Sequence, residues 1–199
     1  MKPFWCIIDA NIILEAIRYK SLPLKKRHYP EAFKVLEHFS NGAFIWVYSE
    51  AILREYRIQF HLLKQNVTQS KDKRSFDTGL FNALLKTIRF GPGLVEPTEI
   101  QNQDANEVIM NPKRAEHLRD PDDYPYLSAA EAAKIQGVDI FVLVASEDSD
   151  LYTLNKYKGI PIMTLNQLLK SLDSAEIKAF DVFPELSAFM NEINPFLKK

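Results

Sequence analysis

The chain has 199 residues, 46% of them hydrophobic, with 25 basic and 26 acidic side chains and a formal charge of −1. That length suits one globular domain carrying an insertion or a small appendage, and the composition excludes wholesale disorder. A near-neutral chain has no global field to attract a nucleic acid, so any surface for one must be local.

Residues 4–8 form an unbroken apolar run, the pattern of a strand buried on both faces. Cys6 lies within it; as a lone cysteine it is expected to pack as a small hydrophobe in a reducing compartment. The segment before Asp9 is too short for a signal-peptide core and no apolar stretch reaches membrane-spanning length, so a cytoplasmic location without membrane contact is expected. After Asp9, Ala10 and Asn11 come Ile12, Ile13, Ala16 and Ile17 at helical spacing. Residues 30–39 predict a second helix with Ala32, Val35, Leu36 and Phe39 inward, stopped by Asn41 and Gly42. A strand follows over 43–48, and Ser49 and Glu50 open a long helix. Its apolar side is Ile52, Leu53, Tyr56, Phe60 and Leu63, with Glu55 flanking the stripe.

Residues 66–77 are polar and expected as a loop. Phe81, Leu84, Leu85 and Ile88 mark a helix ended by Gly91, Pro92 and Gly93. A short strand over 94–97 precedes a helical pattern over 106–118 that Pro112 breaks or restarts. Pro125 suits the first turn of a helix running through Leu127, Ala130 and Ala133 to Gly137, and its ring is expected to push Tyr124 into an extended conformation. Residues 139–145 read as a buried strand, 151–157 as a short helix, 159–164 as a strand and 165–172 as a helix. The tail over 173–199 is expected to dock through Phe183, Leu186, Phe189 and Met190. The alternation predicts an α/β protein: a three-layer α/β/α sandwich with a central, mostly parallel sheet, spanning 1–172 with a helical insertion over 65–118.

Acids stand where apolar strands end or helices begin: Asp9, Glu55, the group Asp120, Asp122 and Asp123, and the pair Asp148 and Asp150. In an open α/β sheet the ligand crevice lies outside the carboxyl ends of the strands, so these acids can reach one edge. Carboxylates crowded there raise one another's pKa unless a hard cation such as Mg²⁺ or Mn²⁺ neutralises them, and such a centre is suited to phosphoryl chemistry. Singly, each acid reads as a helix cap, a turn residue or part of a solvated helix face. The conjunction, in chain order and at the expected ends, points to a metal site.

The segments Ile7-Ile8-Asp9-Ala10-Asn11, Tyr48 to Tyr56, Arg119 to Leu127 and Val144 to Leu151 together resemble a PIN-domain ribonuclease, a family that includes many toxin components of bacterial and archaeal toxin–antitoxin pairs. The resemblance covers somewhat more than half the chain. It implies Asp9, Glu55, Asp123 and Asp148 as catalytic carboxylates. Together with Asp120 and Asp150 they would be the residues around a Mg²⁺ or Mn²⁺ ion. Asn11 and Ser146 are implied as hydrogen-bonding groups behind them, although Asn11 reads equally as a helix-start residue and Ser146 as a loop residue. In the third segment the register leaves Asp120, Asp122 and Asp123 all open as the ligand. The implied activity is hydrolysis of single-stranded RNA, leaving 5′-phosphate and 3′-hydroxyl ends. The implied partners are the RNA substrate, an antitoxin-like protein and a second copy in a homodimer. The alternative is a catalytically inactive PIN-like domain that binds RNA or protein. A phosphatase or receiver reading ranks lower, because it wants a second acid where Asn11 stands.

Basic clusters at Lys25, Lys26, Arg27 and His28, at Arg54, Arg57 and Lys64, and at Lys71, Lys73 and Arg74 could hold a phosphate backbone, though solvation accounts for any one of them as well. Three roles are open to the insertion: covering the site, binding a partner, or self-association.

Overall fold

The apolar run Phe4–Ile8 becomes β1, an interior strand of a five-stranded sheet in the order β2-β1-β3-β5-β4. A computed structural model of the chain describes residues 4–21, 31–69, 78–145, 147 and 149–173. In chain order these form β1, α1 (Ala10–Ser21), α2 (Glu31–Ser40), β2 (Phe44–Trp46), α3 (Glu50–Gln69), α4 (Thr78–Phe90), α5 (Glu99–Ile109), α6 (Tyr124–Ile135), β3 (Ile140–Val144), β4 (Lys156–Tyr157), β5 (Ile160–Thr164) and α7 (Leu165–Asp173). The strands pair in parallel except β4, which runs antiparallel to β5. The expected mostly parallel α/β/α sandwich is the fold observed.

Continuous apolar strands demand cover on both faces, and they have it. Cys6, Ile7, Ile8, Val142, Leu143 and Val144 are completely buried. Cys6 is one of these core residues, and burial pushes its thiol well above the ordinary range, as befits an inert hydrophobe. The chain leaves β1 towards β2, then returns across β1 to β3 on its other side. Right-handed crossovers in opposite directions place their helices on opposite faces. Accordingly, α6 packs against β1, β3 and β5 with α5 behind it, whereas α2 and α7 pack together against β2, β3 and β5. The reversal of winding falls between β1 and β3, and the crevice at their carboxyl ends is where such folds bind ligands.

The long segment between β2 and α6 is held by specific contacts. Phe60 of α3 and Phe81 of α4 stack with ring centroids 3.9 Å apart. The Tyr48 hydroxyl donates to the Arg89 carbonyl at 2.7 Å, tying the end of α4 to the strand edge. Among the described residues, no helix is long and apolar enough to cross a membrane.

Several expectations are corrected. Helix α3 continues through 66–69, where the polar composition predicts a loop. Helix α5 begins at Glu99, not 106, because Thr98 and Gln101 form a reciprocal capping box, and it ends before Pro112. Residues 94–97 form only a single parallel bridge, Tyr48 to Leu94. The stretch 151–157 is not one helix but a 3-10 turn (Tyr152–Leu154) followed by β4. The left-handed conformations of Asn155 (φ 60°) and Lys158 (φ 46°) bend it into a hairpin. Tyr124 is helical rather than extended (φ −60°, ψ −32°), since the 3-10 turn Pro121–Asp123 has already wound the chain before Pro125 arrives. The tail contacts of Phe183, Leu186, Phe189 and Met190, and the basic clusters at 25–28 and 71–74, lie outside the described residues.

Gly93 stands where the chain crosses the end of β2. A Cβ there would lie 1.9 Å from the Trp46 carbonyl oxygen, backbone that cannot swing aside. The same crossing carries the hydrogen bond from Tyr48 N–H to Gly93 O at 2.9 Å. Gly93→Ala is therefore expected to cost about 1–3 kcal/mol or more in urea denaturation, the scale of overpacking in a rigid site. A change below about 0.5 kcal/mol would contradict this contact.

Candidate functional site

Asp9 is the first residue beyond β1. Its N–H donates to the Leu143 carbonyl of β3 at 2.9 Å, which places it at the reversal point between the two strands. Its Oδ1 accepts the Asn11 N–H at 2.7 Å, and the Asn11 side chain also bonds to it. Asp9 thus caps α1, and Asn11 is at once a helix-start residue and the group that orients this carboxylate. Although capped, Asp9 is buried, with only 6% of its surface exposed.

Glu55 is half-buried on α3, with Oε1 accepting from Gln59 Nε2 at 2.7 Å. Asp120 is exposed and caps the 3-10 turn by accepting the Asp122 N–H at 2.9 Å; Asp122 is exposed as well. Asp123 differs from both. It occupies the cap position of α6, makes no side-chain capping bond, and is half-buried. Of the three acids that the sequence leaves open, it is the half-buried one, and its carboxyl feels Asp9.

These carboxyls bear on one another electrostatically. Burial, then repulsion from Glu55, lifts the Asp9 carboxyl from 3.8 to about 6 against the opposing Asn11 hydrogen bonds. Burial, then repulsion from Asp9, Asp120 and Asp150, lifts Asp123 from 3.8 to about 8, with Arg114 opposing. Glu55 is raised by burial and by Asp122 and Asp120, with its Gln59 bond opposing. Desolvation leads in every case, and mutual repulsion adds to it. Asp9 thus feels Glu55, Asp123 feels Asp9, Asp120 and Asp150, and Glu55 feels Asp122 and Asp120, a chain of pairwise repulsions that links the six acids. Asp148 and Ser146 lie outside the described residues; Asp150 beyond them is half-buried.

Hard oxygen donors raised by burial and by one another's charge have the chemistry a divalent cation takes, and in that sense the donor set fits one. Among the described residues, however, no three acids, histidines or cysteines close into a group that could hold an ion.

Two tyrosines fix the frame; Tyr56 is legible in the sequence only as part of the apolar side of α3, and Tyr126 is not singled out at all. The Tyr56 hydroxyl donates to the Ile8 carbonyl at 2.5 Å and accepts from Trp46 Nε1 at 3.4 Å, locking α3 to the end of β1. The Tyr126 hydroxyl of α6 accepts the Ala10 N–H at 3.4 Å. The available signal was a tyrosine on a buried helix face, whose hydroxyl must find a partner. Arg114, also overlooked, borders the acids; it sits just past a Pro-containing segment that reads only as a broken helix.

Among known families, the PIN-domain model matches residues 6–138. The match includes Asp9, Glu55 and Asp120 to Asp123 and stops before β3, so Asp148 and Asp150 fall outside it. No curated protein and no solved structure matches the chain.

The raised carboxyls give a direction of pH dependence. Their folded forms hold protons that the unfolded chain has already released, so their contribution is most favourable below the ordinary 3.8 and is lost as pH rises through about 6 for Asp9 and about 8 for Asp123. In chelator, Asp123→Asn is therefore expected to melt at the same temperature as wild type near pH 4 and above it at about pH 8.5. A gap that stays constant or narrows with rising pH in thermal melts would show that the Asp123 carboxyl is not raised by its surroundings as described.

Proposed function

The chain belongs to the PIN-domain family, and on that premise we propose that it is a Mg²⁺- or Mn²⁺-dependent endoribonuclease that hydrolyses phosphodiester bonds of single-stranded RNA. PIN domains are generally nucleases. The observation that carries the finer reading is the meeting of two desolvated carboxyls, Asp9 and Asp123, at the reversal point between β1 and β3. Nothing in folding favours such a pair; a ligand that demands negative charge explains it.

In this reading Asp9, Glu55, Asp123 and Asp148 hold the cation, with Asp120 and Asp150 at its margin. The chemistry a hard divalent cation supplies when bound is a lowered pKa for water and neutralisation of charge on a phosphodiester. The chain's own residues do the rest. The Asn11 N–H and side chain hold the Asp9 carboxylate in place beside the crevice. Protons on Asp9 and Asp123 must leave as the site fills, which makes binding stronger at higher pH. Arg54 and Arg57 are exposed on α3 beside Glu55 and offer positive charge to the RNA backbone next to the acids. The products would carry 5′-phosphate and 3′-hydroxyl ends.

A non-catalytic RNA- or protein-binding member of the family is the second reading, since membership of the family fixes the fold without fixing the activity. A toxin role with an antitoxin-like partner is the physiological form we propose for the active reading. Expression in a bacterial host should then arrest growth with wild type and not with Asp9→Asn.

Asp9→Asn keeps the oxygen that caps α1 and removes the charge. It is expected to lower cleavage of a labelled single-stranded RNA in Mn²⁺ by at least about 10²-fold, the scale of losing one charge-stabilising group at a reacting centre. The same variant should melt no lower than wild type in chelator at about pH 8, since a repelled charge is gone. Undiminished cleavage by Asp9→Asn would remove the mechanism, and absence of saturable Mn²⁺ binding by wild type would leave the non-catalytic reading.

A further inference from the structure

The acidic site is assembled from segments with unequal support. Asp9 is fixed by sheet register and Glu55 by a long helix, but Asp120 to Asp123 lie on short 3-10 turns and Asp150 on irregular chain. Both irregular segments carry negative charge, and Asp120 and Asp150 each repel Asp123. Like charges on two loosely built segments drive them apart unless something ties them together.

Arg114 provides that tie. Asn111, Pro112, Lys113 and Arg114 form a tight turn in which the Arg114 N–H donates to the Asn111 carbonyl at 2.9 Å and the Asn111 side chain accepts the Lys113 N–H at 2.9 Å. The turn aims the Arg114 side chain across the gap. Its Nε donates to the Leu118 carbonyl at 3.0 Å, two residues before Asp120. Its Nη2 donates to the Asp150 carbonyl at 2.8 Å and to Thr153 Oγ1 at 3.2 Å. The Thr153 hydroxyl donates to the same Asp150 carbonyl at 2.7 Å. One planar fork thus grips both the segment leading into Asp120 and the segment carrying Asp150, a residue 36 positions beyond Arg114 itself.

We propose that Arg114 is a positioning residue of the acidic centre, whose guanidinium fastens the Asp120–Asp123 turn to the Asp150 loop and so sets how closely their carboxylates approach. The fastening itself rests on geometry; its consequence for catalysis rests on the nuclease reading above. The end of the long insertion thereby supplies the clasp that completes the site's less regular side. A lysine could bring the charge but not the fork, because a single ammonium cannot reproduce the planar Nε and Nη2 donors.

The test uses the full chain as wild type, Arg114→Ala, Arg114→Lys and Thr153→Val. Four quantities are read: cleavage of labelled single-stranded RNA, Mn²⁺ affinity by calorimetry, melting temperature, and backbone hydrogen exchange over 119–124 and 149–155. Arg114→Ala is expected to lose about 10–100-fold in kcat and in Mn²⁺ affinity, the scale seen when groups orienting ligands are removed, with KM changed by less than about threefold. Exchange should quicken in those two segments and not in β1 or β3. Arg114→Lys should recover less than about a third of the lost kcat, and Thr153→Val should lose severalfold. The proposal is overturned if Arg114→Ala keeps kcat within about twofold of wild type, or if Arg114→Lys recovers it fully, which would make charge alone the cause. Should Arg114→Ala fail to fold, Thr153→Val decides: wild-type kcat and exchange in that variant also overturn it. If wild type neither cleaves RNA nor binds Mn²⁺, the nuclease reading fails, and unchanged exchange in Arg114→Ala then sinks the fastening independently.

Discussion

Two carboxyls removed from water at the same point of the sheet set the terms for the rest of this molecule. Asp9 and Asp123 come from opposite ends of the matched domain, and each is lifted by burial before any neighbour acts. Desolvating a charge costs more than a surface ion pair returns, so such an arrangement persists only if the surrounding structure holds it. The hydrophobic core provides that hold. With β1 and β3 covered on both faces, the position of the residue that follows β1 is dictated by strand register rather than by its own preference.

The tyrosines show how the frame reaches the site without contributing charge. Tyr56 bonds to the last carbonyl of β1 and Tyr126 to the first N–H of α1, so the residues on either side of Asp9 are each held by a phenol from a different helix. Those helices are α3, which carries Glu55, and α6, at whose start Asp123 stands. The same two hydroxyls that satisfy buried backbone groups therefore index both helices against Asp9. Gly93 extends the pattern on the far side, where its lack of a side chain lets the connection lie directly on the end of β2.

What was legible in the sequence follows from this division. Strands β1 and β3 announced themselves as apolar runs between turn signals, because strands buried on both faces leave no other pattern, whereas β5, with Pro161 exposed, was marked by its apolar residues between Gly159 and the helix that follows. Asp9 was legible as the polar residue that ends such a run. Asp123 was not separable from Asp120 and Asp122, since its distinction is burial and the absence of a capping bond, neither of which is written in Asp-Pro-Asp-Asp. The start of α5 was missed because its capping box lies in a polar stretch where the apolar period is weak, with Ile100 exposed to solvent. Residues 151–157 misled because Leu151, Tyr152 and Leu154 have helical spacing, while the hairpin depends on left-handed backbone at Asn155 and Lys158 that composition does not reveal. Arg114 could not have been found at all, because its partners Asp150 and Thr153 are distant in sequence and meet it only after folding.

The two halves of the acidic site are thus built by different physics. Asp9 and Glu55 sit on periodic structure, where repeated backbone hydrogen bonds and core packing fix position cooperatively. Asp120, Asp123 and Asp150 sit on turns, where each position depends on individual side-chain bonds: Asp120 to the Asp122 N–H, Thr153 to the Asp150 carbonyl, Arg114 to both segments. Isolated bonds of this kind are worth only about 1 kcal/mol each, so this half can yield where the other cannot. A repelled cluster with one rigid side and one compliant side relaxes by moving the compliant side.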